Sequence, residues 1–380
     1  MTESLTSPFA QPDPTLPIRL GAPPLARPTK EEVEAFPSEA AALLEANWAV
    51  QVPLIESGRF DLRWLEGRHL LLAGATGPGL GGALETAVMA HGGAASVTVV
   101  ARDLSRSLGF ETGRAMTLAA DAIGMSNRFH WINDGMGLEG RALDAILAAL
   151  REAGADRVVY FNTVAAAISG MLPGMPPVFV KDCDDSGLFQ WQLTPISERE
   201  IETTKFVMGE MAVHFPAVLE ANGIGVDVAA YADWRGSLDK SSRDPANREY
   251  GRQGAYSTSL FLPKDILQDA ARKAYGSGRI ELDIFYPMMR TRALPFIPGG
   301  IMTASVMDTV MRREDVTRLG VAELAVMALD RVGKALTNGL DNPFPRLDAH
   351  DAHLDEWLFE VLSRLNNDEN SDFYFRRWVQ

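Results

Sequence analysis

The stretch His69-Leu-Leu-Leu-Ala-Gly74-Ala-Thr-Gly77-Pro-Gly79-Leu-Gly81 decides the fold of this 380-residue chain. The short apolar run that begins at His69 and ends in glycine is typical of a buried parallel strand. The composition of residues 82–90 favours a helix, which Gly92-Gly93 closes. A strand, a glycine-rich turn and a helix therefore follow one another, as in the first unit of a doubly wound sheet.

Strands and helices alternate along the chain beyond this unit. β-branched and other apolar runs predict five more strands, at residues 96–101, 128–132, 157–161, 226–231 and 280–286. Helices are predicted at residues 138–153, 198–220 and 264–274. This alternation predicts an α/β fold with a doubly wound, mostly parallel Rossmann-type sheet, extended at both the N-terminus and the C-terminus.

The chain is expected to divide into four segments. Seven prolines in residues 1–28 indicate an extended or disordered arm. Residues 29–66 are predicted to form a helical N-terminal extension. Residues 67–340 would form the Rossmann-type domain with substrate-binding insertions. The aromatic tail within residues 341–380 is predicted to dock on the body or on a second subunit, which is compatible with a homo-oligomer.

The composition excludes several classes of protein. A formal net charge of −14 predicts an acidic surface that repels polyphosphate backbones, so we expect no nucleic-acid partner. The single cysteine, Cys183, cannot form an intramolecular disulfide and favours a reducing compartment. Because no apolar run reaches the roughly 18 residues of a membrane span and the N-terminus lacks a secretion signal, we expect a cytoplasmic protein. His350 and His353 lack a third nearby ligand, so no metal is predicted.

The glycine turn lies between a strand and a helix, where a dinucleotide pyrophosphate would need it. Glycines let the backbone turn sharply and approach the phosphates, while the helix N-terminus contributes amide donors and a favourable dipole. The spacing G-x-x-G-x-G differs from the standard fingerprint, but its place after the first strand supports a nucleotide. The predicted contacts are Gly74, Thr76, Gly77, Gly79 and Leu80.

The ends of the following strands contain residues suited to the rest of the cofactor. Arg102 is able to engage the 2′-phosphate of NADP, whereas Asp103 would favour the free 2′-hydroxyl of NAD. A solvated charge pair at a strand end is the alternative interpretation. We expect NADPH, with NADH as the other candidate, and we place Asn133 and Asp134 beside the adenine. Asn162, which follows the fourth predicted strand, is a further predicted cofactor contact.

A helical stretch resembles part of a known family: Pro195-Ile-Ser-Glu-Arg-Glu200-Ile-Glu-Thr-Thr204-Lys-Phe-Val-Met208-Gly209. Three further segments match in the same order, namely residues 74–80, Val158-Val159-Tyr160 and residues 291–298. Together they are similar to the trans-2-enoyl-CoA/enoyl-acyl-carrier-protein reductases of the large bacterial type, which are distant relatives of short-chain dehydrogenases. The likeness extends in patches over residues 67–335, and it implies that Thr291 and Ala293 lie beside the nicotinamide.

The resemblance also implies a catalytic pair. The family carries a tyrosine followed, after eight intervening residues, by a lysine. Tyr256 and Lys264 are the nearest counterpart, with seven residues between them, and Tyr250 is a second candidate tyrosine. Hydride delivery to a conjugated carbonyl leaves an enolate-like oxygen, to which Tyr256 would donate while Lys264 assists the tyrosine and holds the ribose. Pro263 favours another interpretation, in which Tyr256 packs in a loop and a new helix begins at a solvated Lys264.

Apolar and aromatic residues near these positions are candidates for the walls of an acyl pocket. They are Trp234, Tyr250, Met288 and Phe296. Methionine and aromatic side chains form adaptable apolar surfaces, and ordinary core packing explains the same residues equally well.

The residues alone predict a dinucleotide-binding oxidoreductase. The resemblance narrows this to an NAD(P)H-dependent enzyme of fatty acid metabolism that reduces the 2,3-double bond of an enoyl thioester, carried by coenzyme A or by acyl carrier protein. Two alternatives stay open. One is an NADPH-dependent carbonyl reductase of short-chain dehydrogenase type, which would use the same tyrosine and lysine, and the other is a non-catalytic NADP-binding module.

Overall fold

A computed structural model of the chain describes residues 40–75, 77, 79–101, 108–164, 180–183, 189–192, 198–234, 254–277, 279–287 and 319–347. Within these residues, the main sheet has six parallel strands: β1 (His69–Ala73), β2 (Ser96–Val100), β3 (Phe129–Ile132), β4 (Arg157–Asn162), β7 (Gly225–Trp234) and β8 (Glu281–Tyr286). A separate antiparallel pair consists of β5 (Val180–Cys183) and β6 (Phe189–Gln192).

Helices cover both faces of the main sheet. They are α1 (Ala40–Glu56), α2 (Leu80–His91), α3 (Leu108–Ala122), α4 (Gly140–Glu152), α5 (Glu198–Lys205), α6 (Met211–Ala221), α7 (Gly254–Ser277) and α8 (Val321–Asn338). One π-helical turn, Phe206–Glu210, joins α5 to α6. Short 3-10 turns precede β1 and β3, at Arg63–Leu65 and Ser126–Arg128.

The strand order across the main sheet is β3-β2-β1-β4-β7-β8. This is the order of a doubly wound sheet, and its middle strand β1 pairs through Leu70 with Val97 of β2 and Val159 of β4. Because the winding reverses between β1 and β4, the connections diverge and open a crevice at the carboxyl ends of these strands. The predicted α/β fold with a Rossmann-type parallel sheet is therefore confirmed.

Both faces of the sheet are buried. Leu70 and Leu72 belong to a core shared with α1, α2 and α8, whereas Leu71 and Ala73 belong to a core shared with α4, α6 and α7. This explains why β1 is apolar at every one of these positions rather than at alternate ones. Helix α4 meets its core with side chains spaced three and four residues apart: Leu143, Ile146, Leu147 and Leu150.

Helix α1, within the predicted N-terminal extension, is bonded to α2 and α8. Its buried Gln51 donates from Nε2 to the carbonyl of Ala83 in α2 at 2.7 Å and to that of Ala322 in α8 at 3.2 Å. The Oε1 atom accepts a hydrogen bond from the Thr86 hydroxyl at 2.6 Å. One fully bonded carboxamide thus links three helices, as a buried polar group requires.

The structure corrects the sequence prediction at α7. The predicted loop that ends at Lys264 is wrong, because α7 begins at Gly254 and continues through Pro263. Pro263 is buried against the π-helical turn, where a Cβ on Gly209 would lie 2.9 Å from the Pro263 Cα. Close packing of this kind compensates for the backbone hydrogen bond that proline removes. Two helices and two strands were not predicted, namely α3, α8, β5 and β6.

Candidate functional site

The carboxyl end of β1 carries a turn in which a side chain has no room. Gly74 has a φ of +93°, which favours glycine, and its amide donates to the Val100 carbonyl of β2 at 3.1 Å. A Cβ on Gly74 would lie 2.4 Å from the Val164 nitrogen and 2.5 Å from the Thr163 carbonyl carbon. The turn after β1 therefore lies directly against the segment that follows β4.

Helix α2 begins at this turn with its first amide groups uncapped. Gly79 is the N-cap residue, and no side chain accepts a hydrogen bond from the first turn of the helix in the part of the chain that the structure describes. A Cβ on Gly79 would meet open space, whereas one on Gly81 would lie 2.8 Å from the Ala75 Cα. Gly77 forms the half-buried bend between Ala75 and Gly79, and its carbonyl lies close to Gly82. The helix start thus offers free amide donors, which is the arrangement that binds phosphate groups.

The segment after β4 closes the other side of the crevice. The Thr163 amide and hydroxyl both donate to the Ala73 carbonyl, at 2.8 and 3.0 Å. Asn162 is buried, and its Oδ1 accepts a hydrogen bond from the Val164 amide at 2.9 Å. The structure therefore places the predicted cofactor contact Asn162 beside the Gly74 turn, where its side chain shapes the backbone.

The ends of β2 and β3 form the next corner of the same edge. Ala101 donates to Ile132 at 2.8 Å and accepts from the Gly135 amide at 2.9 Å. The Oδ1 atom of Asn133 is buried at this corner without a donor among the described residues. Asp134 is exposed and forms an ion pair with Arg141 at 2.6 Å. The corner thus contains one buried acceptor that a ligand amino group would satisfy.

Lys264 lies at the same edge of the sheet, at the end of β7. Its Nζ donates to the Ala232 carbonyl at 2.6 Å and lies 3.6 Å from Asp233 Oδ1. An ammonium has three N–H donors, so this geometry leaves donor capacity for a ligand. Since β7 is two strands from β1, the end of β7 that Lys264 contacts is two strand spacings, about 10 Å, from the end of β1.

Two carboxyl groups lie beneath Lys264. Asp233 on β7 also accepts a hydrogen bond from Gln268 Nε2 of α7 at 3.3 Å, and Asp283 on β8 is completely buried. Burial raises the pKa of Asp283 well above its usual range, and the Asp233 carboxylate raises it further, whereas Lys264 lowers it. Asp283 was not predicted. The signal was present in Glu281-Leu-Asp-Ile-Phe-Tyr286, an otherwise apolar strand with acids at alternate positions.

A third buried acid was also missed. Glu85 lies in α2, in the second turn after the glycine turn, and both of its carboxyl oxygens are buried without a donor among the described residues. Burial raises the pKa of Glu85 well above its usual range. Its position in the buried helix following the glycine turn was the only sequence signal.

Several predicted site residues lie wholly or partly outside the description. The backbone places Tyr256 in the first turn of α7, eight residues before Lys264, and it places Trp234 at the end of β7. The side chains of Tyr256 and Trp234 are not among the described parts of the structure. The remaining predicted residues outside the described ranges are Thr76, Arg102, Asp103, Tyr250, Met288, Thr291, Ala293 and Phe296. The first 39 residues, His350, His353 and the rest of the C-terminal tail from residue 348 also lie outside these ranges.

The described residues lack two other features. No helix in these ranges has both the length and the apolar character needed to cross a membrane. The same ranges contain no group of three or more His, Cys, Asp or Glu side chains placed to hold a metal ion.

Comparison with known proteins supports the fold. No protein-family model matches the chain. The trans-2-enoyl-CoA reductase of Treponema denticola, solved in complex with NAD, superimposes with a TM-score of 0.58 over 94% of this chain and 95% of its own, at 13% identity. The enoyl-[acyl-carrier-protein] reductase (NADH) of Aquifex aeolicus covers 75% of this chain and 96% of its own, with a TM-score of 0.49 and 10% identity. At such identities the likeness to the Treponema structure shows a shared fold.

One curated protein is similar in sequence. The 5′-nucleotidase SurE of Cytophaga hutchinsonii is 26% identical over an alignment of 154 residues, and the match covers 38% of this chain. The matched region spans 58% of the length of that nucleotidase, less than two thirds of it.

Proposed function

We propose that this protein is a nicotinamide-dependent reductase. The observation that carries the proposal is that the uncapped glycine turn of β1 and α2 and the Lys264 ammonium lie at the same edge of a doubly wound sheet. Dinucleotides bind at this edge, across the point where the strand order reverses. The fold shared with the Treponema enzyme, whose structure contains NAD, supports the same assignment.

The residues of the crevice fit a dinucleotide. The amide groups at Gly79, Leu80 and Gly81 would bind the pyrophosphate, because no described side chain uses them. The buried Asn133 Oδ1 would accept a hydrogen bond from the adenine amino group. Arg102 would bind a 2′-phosphate, so the proposed cofactor is NADPH, with NADH as the alternative.

The other half of the edge would carry the chemistry. A bound reduced nicotinamide supplies hydride, and the acceptor then develops negative charge on its carbonyl oxygen. Tyr256 would donate its phenolic proton to that oxygen, since α7 places it about two helical turns from Lys264. A remaining N–H of Lys264 would hold a ribose hydroxyl, while Ala232 and Asp233 fix the ammonium.

The proposed substrate is the 2,3-double bond of an enoyl thioester, with coenzyme A or acyl carrier protein as the carrier. The sequence segments similar to enoyl reductases support this choice, as does the function named for the Treponema structure. Reduction of a ketone or aldehyde would leave the same kind of oxygen anion. A carbonyl reductase is therefore the competing outcome of the experiment below.

The test is oxidation of NADPH and NADH, followed by nicotinamide absorbance, with a short and a long trans-2-enoyl-CoA and with a 3-ketoacyl-CoA. We expect oxidation with an enoyl thioester and loss of at least about 100-fold in kcat for Tyr256→Phe, with unchanged NADPH affinity. Tyr275→Phe, an exposed tyrosine of the same helix, is the matched control.

Three results would contradict the proposal in different ways. Turnover of the 3-ketoacyl-CoA alone would transfer the assignment to carbonyl reduction. NADPH binding without turnover of any acceptor would indicate a binding module. Phosphate release from a 5′-nucleotide, without nicotinamide binding, would favour the activity named for the Cytophaga protein.

A further inference from the structure

Four polar side chains meet beneath the proposed ribose site. Asp233 and Asp283 have no exposed side-chain surface, and the Lys264 side chain is 15% exposed. Gln268, one helical turn after Lys264 on α7, donates to Asp233 Oδ2 at 3.3 Å. This group therefore contains two buried carboxyls and one cation.

The charges of this group do not balance if both carboxyls are ionised. Asp283 pairs in register with Tyr231 of β7, and Asp233 follows two residues later on the same face of the sheet, so the two carboxyls are diagonal neighbours on adjacent strands. Lys264 on α7 also faces Asp283. Glu281, on the same strand as Asp283, accepts a hydrogen bond from the Tyr231 hydroxyl at 3.0 Å. The segment after α8 contributes the Pro343 carbonyl, which accepts a hydrogen bond from the Asp283 backbone amide. Both carboxyl oxygens of Asp283 are buried without a hydrogen-bond donor among the described residues, and two adjacent carboxylates repel each other strongly.

We propose that Asp283 is a positioning residue for Lys264, because it keeps one proton between itself and Asp233 and so leaves a single carboxylate to face the ammonium. In this arrangement a protonated Asp283 would donate to Asp233, and the Asp233 carboxylate would hold Nζ, which lies 3.6 Å from its Oδ1 and donates to the Ala232 carbonyl. The raised pKa of Asp283, caused first by burial and then by Asp233, agrees with this arrangement. The role of Lys264 toward the ribose rests on the proposed function.

The shared proton makes a prediction that requires no substrate. An unfolded aspartate loses its proton above a pH of about 4, whereas folded Asp283 keeps it. The folded state then holds one more proton than the unfolded state, so the unfolding equilibrium constant rises up to tenfold per pH unit until Asp283 ionises in the folded protein. Stability from this group is thus greatest at acidic pH and falls as the pH rises.

Urea unfolding of the full chain between pH 5 and 8 measures this effect. We expect the ratio of the wild-type unfolding constant to that of Asp283→Asn to rise by about tenfold per pH unit at first. Asp233→Asn should weaken the same pH dependence without removing it, because the variant loses the repulsion between the two carboxyls, whereas burial still raises the pKa of Asp283. Asp269→Asn, an exposed acid of α7 paired with Arg272, is the control and should leave the pH dependence as it is in the wild type. The proposal would be overturned if the ratio of the wild-type unfolding constant to that of the variant did not change with pH for Asp283→Asn or for Asp233→Asn.

NADPH affinity over the same pH range tests the positioning role. Wild type and Asp283→Asn should bind NADPH with equal affinity at pH 6. At alkaline pH the NADPH affinity of the wild type should fall by at least threefold more than that of the variant. The physical reason is that an ionised Asp283 draws Nζ away from the crevice. Parallel pH profiles would overturn the positioning role. Loss of NADPH binding in both proteins at every pH would instead refute the proposed function, while the unfolding experiment would still report the shared proton.

Discussion

The two halves of the proposed site are held together by different kinds of contact. In the half formed by β1, α2 and β4, the contacts described above all involve a backbone donor or acceptor, and Gly74 provides the space in which two turns meet. In the half formed by β7, α7 and β8, the contacts are made by the charged side chains of Lys264, Asp233 and Asp283. The first half therefore depends on shape and the second on protonation.

This difference separates the effects of substitution. A side chain added to the backbone half overlaps other atoms at every pH, since hydrogen-bonded backbone does not titrate. A charge removed from the other half leaves a buried partner group uncompensated, and the cost then varies with pH. Measurements of stability against pH should thus distinguish the two halves without a substrate.

The largest effect is expected for Gly74→Ala. The substitution forces a positive φ on alanine and places its Cβ 2.4 Å from the Val164 nitrogen, so the free energy of unfolding should fall by about 4 kcal/mol. The matched control is Gly79→Ala, where the Cβ meets nothing within 4 Å and φ is −70°. That control should change stability by less than about 1 kcal/mol. Urea unfolding measures both, and equal losses would show that close approach is not what requires Gly74.

A smaller effect is expected for Lys264→Met. Removal of the ammonium takes one charged partner from the buried Asp233 carboxylate, which should destabilise the fold by about 3 kcal/mol at pH 7. In the double variant with Asp233→Asn, about half of this loss should return, because the buried negative charge is gone. A double-mutant cycle by urea unfolding gives the coupling energy. Strictly additive effects would mean that the 3.6 Å pair contributes nothing to stability.

The smallest effect, for Glu85→Gln, tests whether the comparison is too simple. Glu85 lies in the backbone half, yet burial raises its pKa well above the usual range. Its unfolded form ionises above a pH of about 4.3 while the folded form stays neutral, so wild-type stability falls as the pH rises. The glutamine variant lacks this loss. The free energy of unfolding of the variant minus that of the wild type should therefore be larger at pH 7 than at pH 5 by about 1–2 kcal/mol.

The exposed Glu45 of α1 provides the control for this measurement. Glu45→Gln should leave the difference between pH 5 and pH 7 unchanged, since its carboxyl is in solvent. If Glu85→Gln behaves like the control, the backbone half does not titrate and the comparison holds without exception.

The sheet could be predicted from sequence because each strand carries its own pattern. Residues 69–73 and 96–100 are apolar or β-branched at nearly every position, as expected for strands buried on both faces, and Gly92 ends α2 with a φ of +73°. The course of α7 could not be predicted, because the packing of Pro263 against Gly209 is a tertiary contact. Propensity alone assigned a break where the fold has a helix.

The candidate site could be predicted from local sequence in its backbone half and less so in its charged half. A glycine turn between a strand and a helix is typical of a dinucleotide site, so Gly74 and Gly79 were expected to be cofactor contacts, and that role stays a prediction. The contacts of Asp283 with Asp233 and Lys264 join residues that are 50 and 19 positions apart in the sequence, on three different elements. The sequence pattern of a single segment therefore cannot predict that Asp283 lies near Asp233 and Lys264.

The Gln51 carboxamide gives the molecule an order of assembly. Its hydrogen bond to Ala322 closes a separation of 271 residues, whereas its bond to Ala83 closes one of 32. During synthesis at about 5–20 residues per second, roughly tens of seconds pass between the emergence of these two partners. Until α8 arrives, the side of α2 that it covers stays open to water. The nascent chain therefore presents this apolar surface to chaperones for most of its translation, and such non-local closure slows the final folding step.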